Sequence, residues 1–169
     1  MFVPNDIVVY PAQGVGKIER IETQEISGTE CKLYIVCIKS NNVTLMVPVA
    51  NAAHVGLRAL TSPAKAKNIL QTLRTGTEKS VYIGQNWNRR FREYSERLKH
   101  QDLAMVADVL RELLLIGKQK ELSFGERRLQ EQAMELVTGE LAVVLQCDAD
   151  EIRDELLDLY APLPAAAAV

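Results

Sequence analysis

The sequence predicts an α+β chain, with an N-terminal small SH3/Tudor-like β-barrel followed by a compact all-α C-terminal domain. Three observations carry this. Short β-branched runs separated by turn residues fill the first 60 positions. The apolar period then changes from strand-like to helix-like. The length, 169 residues, suits one domain or two small ones with modest cores. The expected division is 1–60 for the barrel, 61–85 for a helix and linker, 86–160 for the helical domain and 161–169 for a disordered tail.

Residues 6–11 open with a β-branched run stopped by Pro11. Gly14-Val15-Gly16 is expected to form a turn or bulge before residues 17–22, which alternate polar and apolar side chains. Ser27-Gly28 marks a hairpin tip, and residues 33–38 are apolar on both faces, as a central strand requires. Asn41-Asn42 turns the chain into residues 43–48, whose terminal proline suits an edge strand. Four or five short strands with tight turns fit a strongly bent barrel. An exposed edge strand on such a module can receive a partner.

Helical signals follow. Ser62-Pro63 is a helix start, because proline at the first helical position loses an N–H that has no partner anyway. Ile69, Leu70 and Leu73 give that helix an apolar face before the stop at Gly76, and residues 75–85 read as a linker. Phe91, Tyr94 and Leu98 come next at helical spacing. Asp102 is placed as N-cap of a helix through Leu103, Val106, Leu110 and Leu113 that ends near Gly117. Ser123-Phe124-Gly125-Glu126 has capping-box spacing, with Glu126 reaching back to the cap amide. That helix continues through Leu129, Ala133, Leu136, Val137 and Leu141. Asp148 caps a last helix through Ile152, Leu156 and Leu159.

Composition narrows the function class. Hydrophobic residues make 47% and charged residues 25% of the chain, ordinary for a globular protein. No window is apolar enough to span a bilayer and no signal peptide opens the chain, so no membrane partner is expected. The cysteines, Cys31, Cys37 and Cys147, form no C-x-x-C pair, which argues against a disulfide framework or zinc cluster and fits a reducing cytoplasm. Cys31 and Cys37 are expected as small apolar core residues. His54 and His100 lie in no metal-binding pattern. Gly14-Val15-Gly16 lacks the third glycine of a nucleotide loop, and Asp148 and Asp150 lack the further ligands of a calcium loop. No catalytic constellation, metal, cofactor or small-molecule substrate is therefore expected, and the chain does not read as an enzyme.

The net charge of −2 conceals a gradient. Lys/Arg outnumber Asp/Glu nine to six over residues 1–86 and ten to seven over 87–128, whereas residues 129–169 carry one against nine. A weakly basic surface joined to an acidic one implies salt-sensitive DNA affinity that needs a partner to deliver it. The basic centre is Asn86-Trp87-Asn88-Arg89-Arg90-Phe91-Arg92, which holds the only tryptophan. Arginine forks bind phosphates, and an indole can stack on a base or lever apart a base step. The competing reading makes Trp87, Phe91, Tyr94 and Leu98 a buried stripe with solvated arginines around it. Taken alone, the stripe is favoured, since aromatics at this spacing usually serve a core.

Taken together, the motifs resemble those of the CarD/CdnL family of bacterial transcription regulators. The likeness lies in Val9-Tyr10-Pro11-Ala12-Gln13-Gly14-Val15-Gly16-Lys17-Ile18, Ile21-Glu22, Val47-Pro48, Val55-Gly56-Leu57-Arg58, residues 86–91, Val109-Leu110-Arg111-Glu112-Leu113 and Leu122-Ser123-Phe124-Gly125-Glu126-Arg127. The resemblance implies that the Tudor-like domain docks on the lobe region of the RNA polymerase β subunit. It also implies that the helical domain contacts promoter DNA, largely independently of sequence, at the upstream edge of the bubble. There Trp87 would be a minor-groove wedge that stabilises the open complex. Arg89, Arg90, Arg92, Arg127 and Arg128 would form the basic surface around it, and Thr44, Met46 and Pro48 would lie on the polymerase-binding strand. Some relatives carry arginine where Gln24 and Met46 stand, so a more apolar polymerase contact is expected here. The chain resembles the stand-alone form, cytoplasmic and nucleoid-associated through polymerase. A protein-interaction adaptor without DNA contact is the alternative, and an RNA-binding KOW-like factor a third.

Overall fold

Strand β1 (Ile7–Tyr10) turns into β2 (Gly14–Ile26), which pairs antiparallel with β3 (Thr29–Ile38). Strand β4 (Thr44–Pro48) follows β3, and after a 3₁₀ turn at Val49–Asn51 the short β5 (Arg58–Ala59) returns to β1. The order in this computed structural model, which describes residues 1–76 and 86–162, is β4-β3-β2-β1-β5. Val8, Ile18, Tyr34, Val36, Ile38, Val47 and Leu57 form the core of this half. Strands β2 and β3 run well beyond the expected 17–22 and 33–38, with pairing maintained out to Ile26↔Thr29. Ser27 and Gly28, at φ 52° and 80°, make the two-residue turn that matches strand twist. Gly14, at φ 92°, closes the turn after β1, whereas the expected bulge lies further on, between Ile18 and Arg20. Cys31 and Cys37 are half-buried and stand outside the core cluster, contrary to expectation.

Helices α1 (Pro63–Thr75), α2 (Trp87–Leu98), α3 (Leu103–Gln119), α4 (Phe124–Leu145) and α5 (Ala149–Leu159) form the second half. Every start carries a side-chain cap, from Ser62, Asn86, Asp102, Ser123 and Asp148 in turn. Helix α3 passes through Gly117 and stops at Gln119. Helix α1 is no connector: Ala66, Ile69, Leu70 and Leu73 are buried in the same core as Tyr94, Leu110, Val137 and Leu156. Its C-terminal end is tied down by the Tyr160 hydroxyl, whose single proton is shared between Leu73 O at 2.6 Å and Gly76 O at 2.9 Å. The expected linker and tail fall largely on 77–85 and 163–169, outside the described residues.

The two halves meet along α4. Arg58 on β5 forks onto Glu140 through Nη1–Oε1 at 2.7 Å and Nη2–Oε2 at 2.8 Å, and Thr61 N donates to the same carboxylate at 2.9 Å. One turn earlier on α4, Leu136 lies 3.5 Å from where a side chain on Gly14 would begin.

Candidate nucleic-acid and partner-binding surfaces

Trp87 is the first residue of α2, capped by Asn86. Its indole is half-buried and leans on the helical core. Three neighbours fix it. Phe91 lies with its ring centroid 5.6 Å away at a 59° tilt, and the Arg90 guanidinium sits 5.3 Å from the indole centroid. On the remaining side the indole lies across the start of α4, where Gly125 leaves room for Trp87 Cζ2.

Arg90 differs from the other arginines of its segment. It is only 6% exposed, and its Nη2 donates to Glu126 Oε1 at 3.0 Å. Glu126, the third residue of α4, also accepts from Ser123 N at 2.8 Å and from Lys120 Nζ at 3.2 Å. Burial pushes the Glu126 carboxyl up, but the Ser123 amide, Arg90 and Lys120 together outweigh it and hold the group below the usual carboxylate range. A buried arginine engaged in this way has little freedom to reach a phosphate. Of the five arginines expected on the basic surface, Arg89, Arg92, Arg127 and Arg128 are exposed, and Arg90 is buried beside the indole.

One of the four, Arg128, borders an aromatic surface that sequence reasoning missed, while Arg127 turns to Leu122 O and Glu121. Phe124 is 79% exposed and Phe91 43%, and Arg128 lies 5.9 Å from the Phe124 centroid. A groove of about 790 Å³ runs between α2 and α4 past Phe91, Phe124, Gly125 and Arg128. One signal was available: Phe124 falls off the apolar period of α4, which begins at Leu129, so no core position accounts for it.

On the other half, β4 is the edge of the sheet, paired only with β3. Thr44, Met46 and Pro48 stand opposite Cys37, Ile35 and Leu33, and Arg20 and Glu22 continue the same rows on β2. Met46 is 57% exposed, and Val43 just before the strand is 42% exposed, so this edge carries apolar side chains in solvent. Gln24 Nε2 donates to Glu22 at 3.2 Å and Arg20 Nε to Glu22 at 2.6 Å, so the flanking polar groups are mutually engaged. Among the described residues no group of three or more His, Cys, Asp or Glu side chains gathers in a metal-binding arrangement, and no helix is long and apolar enough to cross a membrane.

An edge-strand surface on one half and an aromatic surface bordered by Arg128 on the other have the layout of a two-part binding protein. The family model of the CarD C-terminal domain matches residues 68–158, and that of the CarD-like/TRCF RID domain matches residues 2–61. The chain is 27% identical over 153 residues to the candidate transcription factor YdeB of Bacillus subtilis strain 168, covering 90% of this chain and 98% of YdeB. The solved structure of CdnLNt from Myxococcus xanthus shares 37% identity over 37% of this chain and 87% of its own, with a TM-score of 0.32. The chain belongs to the CarD/CdnL family of transcription regulators.

Proposed function

We propose that the protein binds the lobe region of the RNA polymerase β subunit through β4 and sets Trp87 at the upstream edge of the promoter bubble, stabilising the open complex. Thr44, Met46 and Pro48 make the polymerase contact. Arg89, Arg92, Arg127 and Arg128 engage phosphates without reading bases, as forked cations on a backbone do. It works in the cytoplasm, at the nucleoid, through its attachment to polymerase, and performs no catalysis.

The observation that supports this reading best is the seating of the indole. Trp87 is braced by Arg90, Phe91 and the bare backbone of Gly125, yet stays at a helix start among exposed aromatics and cations. Braced side chains suit wedging, because little rotamer freedom is left to lose when the base step opens. Stacking one base on an aromatic is worth about 1–3 kcal/mol. Trp87→Ala is thus expected to shorten open-complex lifetime about five- to a hundredfold while polymerase binding persists. A folded Trp87→Ala variant with wild-type lifetime would reject the wedge. The partial burial of Trp87 favours one other reading, an adaptor whose helices bind a protein. On that reading the variant loses the stability of a core aromatic, about 3–5 kcal/mol, melts at a lower temperature and leaves DNA behaviour alone.

A further inference from the structure

From the way α4 joins the two halves, we infer that Arg58 and Glu140 are positioning residues that set where Trp87 lands once the β half is docked. The inference rests on the proposed open-complex function and adds a coupling device to it. Glu140 is 1% exposed, yet its carboxylate receives both prongs of Arg58 and the Thr61 amide. Four residues earlier, on the same face of α4, Leu136 rests against Gly14. These two points of α4 grip different strands, the start of β2 and the short β5, with β1 lying between them. Two attachments one helical turn apart fix a direction as well as a position, so α4 has little freedom to swivel on the sheet.

The other end of α4 carries Glu126 and Gly125, which brace Arg90 and Trp87. At 1.5 Å rise per residue, Glu126 and Glu140 lie about 21 Å apart along one uninterrupted helix. The helix is therefore a strut, pinned to the docking half at one end and to the wedge at the other. A buried fork of this kind contributes little net stability compared with apolar side chains of similar size, because desolvating the charges offsets their attraction. What it adds is direction, since a bidentate pair tolerates one orientation and an apolar contact tolerates many. Arg58 closes the Val55-Gly56-Leu57-Arg58 segment, where Gly56 holds φ 85° and a side chain would meet Pro11 Cγ at 2.8 Å. The loop thereby delivers Arg58 to α4.

The test uses the full chain with the apolar double variant Arg58→Met/Glu140→Leu, alone and combined with Trp87→Ala, on polymerase holoenzyme at a promoter whose open complex collapses readily. We expect a melting temperature lowered only by the Thr61 amide left without its acceptor, unchanged retention by polymerase and an open-complex lifetime shortened about fivefold or more, as misplaced functional groups show. Added to Trp87→Ala, the double variant should shorten the lifetime no further, because both act through the same ring. Arg58→Lys keeps the charge without the fork and should give a smaller loss, likewise absorbed by Trp87→Ala; it serves as the test if the apolar pair does not fold. A wild-type lifetime in the folded variants, or losses that multiply with Trp87→Ala, overturns the inference while leaving the wedge standing. If Trp87→Ala itself has no effect, the functional reading fails and this inference falls with it.

Discussion

A methyl group on Gly125 would sit 2.8 Å from Trp87 Cζ2, well inside the ~3.5–4.0 Å of normal carbon contacts. Alanine in place of a helical glycine ordinarily stabilises by about 0.5–1 kcal/mol. Here the added methyl must push the indole outward, so Gly125→Ala should forfeit that gain, shift Trp87 emission to the red and shorten open complexes. A raised melting temperature with unshifted emission would show that the ring does not rest on Gly125. The tryptophan and its arginines were legible in the sequence because they cluster within a few positions. The fate of Arg90 was not, since arginine is almost never fully buried unless paired and its partner Glu126 lies 36 residues away. Nor did the sequence distinguish a wedge from a buried stripe, and the half-buried ring with an exposed Phe91 belongs wholly to neither.

At the scale of elements, local signals were read well and distant ones poorly. The capping box at Ser123–Glu126 is a four-residue pattern and stands as expected, whereas the outer part of the β2–β3 hairpin has polar residues on both faces and lacks an apolar period to reveal it. Glu126 joins the cap to Arg90 beside the indole, which gives α4 a pH signature. Its carboxyl is depressed in the folded state below the ordinary 4.5. The stability it supplies is therefore complete above that value and lost as pH falls through the lower, folded one. Thermal melts taken downward from neutral pH should show this loss in the wild type. Glu126→Gln should start about 2–4 kcal/mol less stable at neutral pH, with Arg90 left uncompensated, and should decline less steeply in acid. Parallel pH profiles for the two proteins would remove Glu126 from the acid transition. On β4, Met46→Glu places a charge on an exposed apolar spot. It should weaken polymerase retention about tenfold while shifting stability by no more than ~0.5 kcal/mol. Unchanged affinity by calorimetry would take this strand out of the interface.

At the scale of the whole molecule, the proposed function couples a weakly basic surface to a docking module. The two-half layout and the charge gradient were both visible in the sequence. The joint between the halves was not, because Arg58 and Glu140 stand 82 residues apart and neither carries a local spacing signal. Helix α1 shows its apolar face in the sequence but not what that face packs on, which is the helical core. Its position decides where the chain can be cut. Ile69, Leu70 and Leu73 each contribute about 1.5–3 kcal/mol on burial, a sum comparable to a domain's entire stability of about 5–15 kcal/mol. A fragment beginning at residue 80 should therefore fail to fold, whereas residues 62–162 should fold, although less stably for want of Arg58 beside Glu140. Residues 1–61, with their own core, should be retained by polymerase and leave open complexes unaltered. The 62–162 fragment should carry the wedge and yet have no effect at concentrations where the intact chain acts. Linkage to a docked module raises avidity by about 10²–10⁴-fold, and four exposed arginines do not replace it. Mixing the two fragments should restore less activity than the intact chain at those concentrations, since covalent linkage supplies the effective concentration that the mixture lacks. The decisive measurement is open-complex lifetime against concentration for the intact chain, each fragment and the mixture. If residues 62–162 alone lengthen that lifetime as well as the intact chain does, the helical half holds DNA by itself and polymerase docking is not what brings Trp87 to the bubble.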